Sequence, residues 1–175
     1  MNEIIKKNGI TYGVITGVVS VLITFSIYMI DLSLMTKWWL ALLIMLFYVI
    51  IGCILLIKTK KELGDFMSFK EGFTTYFISA VIGIAISVIF NILLYNFIDP
   101  EAAETLKELT MESTANIMKG FGAPSSEIKK ALEKLSEYEQ FSAIEQIKGS
   151  AYSIIGSSIF GLILAAIFKK NKPVF

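Results

Sequence analysis

Apolar residues in this chain fall into four long runs, and the segments between them hold almost every charge. Gly9 to Ile30 carries no charged residue over 22 positions, and Trp38 to Ile57 carries none over 20. Gly72 to Ile98 carries none over 27, and Ser150 to Phe168 none over 19. A hydrocarbon layer of about 30 Å takes roughly 20 helical residues to cross. The pattern predicts transmembrane helices at 9–30, 38–57, 72–98 and 150–168. The third exceeds the required length and is expected to tilt or project. Amphipathic helices of a soluble core would show a polar stripe, which these runs lack. The first run follows Lys6 and Lys7 but is longer than a signal-peptide core of about 7–15 residues, and no small-x-small cleavage motif precedes Asp31. It is read as an uncleaved span.

The polar stretch 99–149 has helical patterning of another kind. Asp99-Pro100-Glu101 combines an N-cap, a first-position proline and an acid at the positive end of the helix dipole. The helix it opens is expected to reach about Lys119, where Gly120-Phe121-Gly122-Ala123-Pro124 breaks it. Leu106, Leu109 and Ile117 share one face. A second helix, from about Glu127 to Gln140 with Ser125 or Ser126 as its cap, carries Ile128, Leu132 and Leu135 on one face. Ser68-x-x-Glu71 and Ser142-x-x-Glu145 read as capping boxes that launch the third and fourth spans. The predicted fold is all-α, one membrane domain over 1–175. It is a four-helix transmembrane bundle with an extracytoplasmic helical hairpin between spans three and four.

Charge sets the expected direction. All sixteen basic residues are lysine. Lys6, Lys7, Lys58, Lys60, Lys61, Lys70, Lys169, Lys170 and Lys172 fall on one side of a four-span topology, which the bias of lysine toward the cytoplasm makes the inside. The other side holds Lys37 and the 99–149 stretch, where six lysines meet ten acids. Tyr28, Trp38, Trp39, Tyr95, Phe97 and Tyr152 cluster at that outer boundary, as interfacial aromatics do. Both termini are therefore expected in the cytoplasm, with 99–149 outside a bacterial inner membrane.

Lipid solvates leucine as well as a neighbouring helix does, so bundles need close backbone approach or polar contacts. Span one offers Gly9, Gly13 and Gly17, span three Ser79, Gly83, Ser87 and Asn91, and span four Gly149, Ser153, Ser157 and Gly161. These read as helix-packing seams in preference to a polar pathway. Span two has only Gly52 and reads as peripheral. The Asn91 amide must be satisfied inside the membrane, and an interhelical hydrogen bond is the expected solution. A weak echo links Lys7-x-Gly9-x-Thr11 with Lys70-x-Gly72-x-Thr74 and Ile30-Asp31 with Ile98-Asp99. It fits two tandem hairpins, although helix boundaries also resemble one another for general reasons.

Candidate chemistry is sparse. Histidine and arginine are absent, which removes the commonest general base and the bidentate anion clamp. No charge lies within a span, against the usual requirement of proton relays and ion-coupled transport. Lone Cys53 reads as a small buried apolar residue. The net charge of +1 gives no reason to expect nucleic acid as a partner. No catalytic, cofactor or metal residue is assigned. With the glycine-rich first helix and the closing Phe168-Lys169-Lys170, the stretches Ser68-Phe69-Lys70-Glu71-Gly72-Phe73 and Asp99-Pro100-Glu101 resemble the bacterial membrane proteins grouped as domain of unknown function 4199, common in Bacteroidetes. That resemblance implies four spans with a helical insertion before the last, and no activity. The leading expectation is a non-enzymatic membrane protein whose partner surface comprises Leu106, Leu109, Ile117, Ile128, Leu132 and Leu135, facing another membrane protein, the bilayer or a second copy. The alternative is a conduit for a small neutral or apolar solute, lined by Ser79, Ser87, Asn91, Ser153 and Ser157.

Overall fold

The computed structural model describes residues 2–171, so Lys172 lies outside the described residues. Helix α1 runs Glu3–Ile30, followed by a 3₁₀ segment Leu32–Thr36, α2 Trp38–Glu62 and α3 Phe69–Leu93. A π-helical turn Leu94–Ile98 extends α3, then come α4 Pro100–Gly120, α5 Ser125–Glu137 and α6 Ala143–Phe168. No strand occurs among the described residues. Among the described residues, four helices are long and apolar enough to cross a membrane: α1, α2, α3 with its π turn, and α6. Leu22, Leu46, Ile89, Ile155 and Ile167 are each more than half exposed. In water such a belt would be a large unfavourable apolar surface, whereas lipid solvates it.

The local boundaries follow from identifiable bonds. Asn2 caps α1 by accepting from the Ile4 amide at 2.9 Å. At α3, the Ser68 hydroxyl accepts from the Glu71 amide while Glu71 accepts from the Ser68 amide at 2.8 Å, a complete capping box. At α6 only half of the expected box forms. Ser142 caps the Glu145 amide, but the Glu145 carboxylate instead accepts from the Tyr138 hydroxyl at 2.9 Å and from Lys148. At α5 neither expected serine caps: Pro124 takes that position, and its carbonyl accepts from the amides of Glu127 and Ile128. The helix also stops at Glu137, three residues before Gln140.

Helix α3 lies at the centre, packed against both α1 and α6, and α2 touches all three. The α1–α3 seam is the most extensive. A Cβ placed on Gly9, Gly13 or Gly17 would come within 2.9, 2.7 and 2.7 Å of Cβ atoms of Ile78, Ile82 and Ile86. Gly83 answers from α3, where a Cβ would meet Thr16 at 3.2 Å. Glycines on one helix thus receive isoleucines from the other, bringing backbones together and maximising dispersion contact where no hydrophobic effect operates.

The lysine-rich end is closed. Leu56, Met67 and Leu164 form a buried cluster backed by Cys53, Leu63, Tyr76 and Phe168. Asn8, 3% exposed, donates to Thr59 Oγ1 at 3.2 Å and Glu62 Oε2 at 2.9 Å, tying α1 to α2. Met67 and Lys170 exchange backbone hydrogen bonds of 2.9 and 2.8 Å, which ties the α2–α3 loop to the residues after α6. Span two is less peripheral than expected. Its second half buries Gly52, Leu55, Leu56 and Thr59, although its first half buries nothing.

At the opposite end, Leu94, Tyr95, Ala102 and Leu106 form a second buried cluster with Tyr28, Leu32, Met35, Phe90 and Phe141 around it. Asp99 caps α4 by accepting from the Ala102 amide at 3.0 Å, and its other oxygen accepts from the Tyr28 hydroxyl at 2.8 Å. Asn96 donates to the Phe141 carbonyl at 2.9 Å, drawing the start of α6 toward the π turn. The first half of α4 is thus anchored to the bundle. Further out, α5 packs on α4, and Met111, Ile128 and Leu132 line a shallow groove between them.

Candidate functional site, a cleft within the bundle

The unburied first half of α2 stands off the α1–α3–α6 layer and leaves a two-lobed cleft. The smaller lobe, about 320 Å³, is lined by Thr16 and Ser20 of α1, Tyr48 and Gly52 of α2, and Ser153 and Ser157 of α6, with Tyr76, Ser79, Ser87 and Asn91 contributed by α3. The larger lobe, about 580 Å³, lies between α1 and α2 and is walled by Ile23, Ile27, Ile44 and Met45. Leu34 and Met35 of the 3₁₀ segment border it. Ser20, Tyr48, Tyr76 and Ser157 line both lobes and mark where they join. Each volume falls within the roughly 300–1,000 Å³ typical of small-molecule sites.

Tyr76 sets the floor. Its ring is held between glycines of two other helices: a Cβ on Gly52 would lie 2.8 Å from its Cε2, and one on Gly161 would lie 2.5 Å from its Cδ1. Beyond it lies the buried Leu56–Met67–Leu164 cluster. The roof is tied in as well, because Met35 packs on the Leu94–Leu106 cluster and its sulfur accepts from the Tyr95 hydroxyl at 3.5 Å. Ala41, Met45 and Phe160 on the rim are exposed, so the cleft opens sideways, out of the bundle.

Part of the polar lining is bonded within the protein. Ser20 donates to Ser87 Oγ at 2.9 Å, and Thr16 to the Tyr12 carbonyl at 2.7 Å. Ser153 and Ser157 bond back to carbonyls of Gly149 and Ile154, each at 3.0 Å. Asn91 is not bonded in this way. Its carboxamide oxygen is buried and has no hydrogen-bond partner, where an interhelical bond was expected. Ser87, one turn away on α3, accepts from Ser20 at 2.9 Å and makes no bond to that oxygen. A buried acceptor left unpaired costs about 1–3 kcal/mol, more in lipid where water cannot compensate. Among the described residues, no charged side chain lines either lobe. The cleft can therefore hold a neutral molecule.

The predicted packing residues divide. Gly9, Gly13, Gly17 and Gly83 sit in the α1–α3 seam and Gly161 against Tyr76. Ser79, Ser87, Asn91, Ser153 and Ser157 line the smaller lobe. Gly149 meets nothing within 4 Å, because α6 extends beyond the layer there. Of the predicted partner surface, Leu106 is 2% exposed inside the cluster over the π turn and Ile128 is 8% exposed, so neither is free. Leu109, Leu132 and Leu135 are half-buried, and only Ile117 is exposed. Sequence reasoning missed Thr16, Ser20, Tyr48 and Tyr76. Thr16 and Ser20 stand four residues apart beside the glycine stripe, a spacing that could have flagged them; the tyrosines carried no such signal.

The family model described as a protein of unknown function (DUF4199) matches residues 11–170. The chain belongs to this family. The match takes in every residue of this DUF4199 protein that lines the cleft, and leaves out Gly9. Compared with curated proteins and with solved structures, the DUF4199 chain matches none.

Proposed function

We propose that this is a non-enzymatic, multi-pass protein of the bacterial inner membrane whose cleft binds a small, neutral, largely apolar molecule drawn from the bilayer. The observation that carries the proposal is a cleft open to the side of the bundle, walled by apolar side chains and hydroxyls without a charged group. The lining of hydroxyls, one carboxamide and aromatic rings binds by hydrogen bonding and dispersion and holds no nucleophile–base pair. The floor at Tyr76 favours binding over free passage. A conduit would need that ring to move.

The test is photolabelling in lipid nanodiscs with hexadecanol bearing a diazirine in its chain. Label is expected in peptides containing Ile23, Tyr48 and Ser157, and to be displaced by excess unlabelled hexadecanol. Ser157→Trp, which fills the junction of the lobes, should abolish this saturable labelling. Label spread evenly over lipid-facing residues, unaffected by Ser157→Trp, would sink the proposal.

Orientation is part of the same proposal: lysine-rich end and both termini in the cytoplasm, α4 and α5 outside as a helical hairpin. The lysine bias and the interfacial aromatics support it. Ser126→Cys should react with an impermeant maleimide from outside and Lys60→Cys should not; the reverse pattern would invert the topology. A second reading, contact with a partner protein or second copy through α4 and α5, is favoured by Ile117 and Phe121, 54% and 88% exposed near the turn between the two helices. A photocrosslinker on Ser126→Cys that captures nothing in native membranes would set that reading aside.

A further inference from the structure

We infer that the lysine-rich end of the bundle binds anionic phospholipids, whose phosphodiester headgroups seat against Lys7 and Lys58 where α1 meets α2, and against Lys70 and Lys169 where α3 meets α6. This surface is separate from the cleft and does not depend on it.

The place of each lysine follows from the ends of the charge-free runs. Lys7 stands two residues before Gly9, Lys58 directly after Ile57, Lys70 two before Gly72 and Lys169 directly after Phe168. Every span thus delivers a cation at the depth where headgroups begin. Two sets of bonds draw these cations into couples. Asn8, beside Lys7, donates to Thr59, beside Lys58. Met67, three residues before Lys70, exchanges backbone bonds with Lys170, beside Lys169. All four lysines are exposed.

Their charge is not neutralised from within. This end holds eight described lysines against four acids, Glu3, Glu62, Asp65 and Glu71. Glu62 is engaged by Asn8 at 2.9 Å and Glu71 by the Ser68 amide at 2.8 Å. All three ion pairs among the described residues lie at the opposite end, in Lys107–Glu139, Lys129–Glu133 and Lys148–Glu145. In place of a carboxylate, Lys58 Nζ has the Tyr12 ring of α1, 5.5 Å from its centre, and Lys170 Nζ has Phe66 at 5.2 Å. A ring face holds an ammonium through its quadrupole and leaves N–H donors free for phosphate oxygens. Orientation alone asks for lysine somewhere on this side. It does not ask for an unpaired lysine at the boundary of all four spans. The common depth of these lysines selects a lipid headgroup over a soluble anion.

The experiment adds dioleoyl phosphatidylglycerol, phosphatidylcholine with the same chains, or inorganic phosphate to the full chain in dodecyl maltoside. Bound lipid is counted by native mass spectrometry and Tm is followed alongside. One lysine near an anionic surface contributes about fivefold to binding, so the glycerol lipid should bind at least about tenfold more tightly than the choline lipid. It should also raise Tm, and inorganic phosphate should not. Replacing Lys7, Lys58, Lys70 and Lys169 together by glutamine should erase the preference. That variant breaks no ion pair among the described residues, and its Tm without added lipid should show it folded. Glutamine at Lys119, Lys129, Lys130 and Lys134, on α4 and α5, should leave the preference intact. In the unaltered chain, raising salt from about 0.1 M to about 1 M should weaken it, as the screening length falls from about 10 Å to about 3 Å. Equal binding of the two lipids, a preference that survives the four substitutions or ignores salt, or an equal effect of inorganic phosphate would each overturn the inference.

Discussion

Gly13→Leu is expected to separate α1 from α3 and to lower the midpoint of unfolding in detergent more than any other single change in the α1–α3 seam. Even the first added atom meets Ile82 Cβ at 2.7 Å and the Ser79 carbonyl oxygen at 3.0 Å. The second obstacle matters more, since an isoleucine can change rotamer but a helix carbonyl moves only with its backbone. Overpacking costs about 1–3 kcal/mol in a core that can relax. Here the strain is relieved by parting two helices whose attraction is mainly close contact, so the effect should reach or exceed that range. Gly149→Leu is the matched control, the same change on a membrane helix where no atom lies within 4 Å, and should be nearly silent. Ile82→Ala combined with Gly13→Ala should cost less than the two singly, as neighbours sharing one contact do. Strict additivity would mean the seam is not held by this pair.

Gly161→Ala should produce the second largest loss, about 1–3 kcal/mol. The new methyl would lie 2.5 Å from Tyr76 Cδ1, and retreat of the ring is limited by Gly52 on its other side, where even an added Cβ would lie only 2.8 Å from Cε2. Relief must come from α6 moving away from α3, which also loosens the floor of the cleft. Replacing the ring as well, in Gly161→Ala with Tyr76→Leu, should recover most of the loss measured by reversible unfolding in mixed micelles. A double variant as unstable as Gly161→Ala alone would show that Tyr76 is not what Gly161 accommodates.

How much of this was legible in advance depends on the kind of signal each feature leaves. The four spans announce themselves by length and absence of charge, properties local to each run. The glycine ladder on α1 was legible for the same reason, since a four-residue spacing places Gly9, Gly13 and Gly17 on one face whatever lies opposite. What lies opposite is not local. Ile78, Ile82 and Ile86 look like ordinary lipid-facing residues until α3 is placed against α1. The serines of α3 and α6 were visible as a stripe, but a stripe reads alike whether it closes on another helix or borders a cleft. The difference is made by α2, whose first half buries nothing and so leaves the space open. Asn91 was expected to bond across helices, but its carboxamide oxygen meets no donor, because which side chain a neighbouring helix brings opposite it is set by packing and not by its own run. Leu106 was misread by the opposite route: an apolar face on a polar helix looks free until the π turn and Phe141 fold beneath it.

The backbone exchange between Met67 and Lys170 places a constraint on the order of biosynthesis. Its two strands of chain lie on either side of everything from α3 to α6, so the pair cannot form until the last helix has left the ribosome and entered the membrane. Until then Met67, fully buried in the finished bundle, has no cover from Leu164 or Phe168. The α1–α3 seam, complete once α3 is inserted, can hold a half-built protein together during that wait. Sealing of the lysine-rich end is then a late event in maturation, and one that a quality-control protease could sense as an uncovered loop.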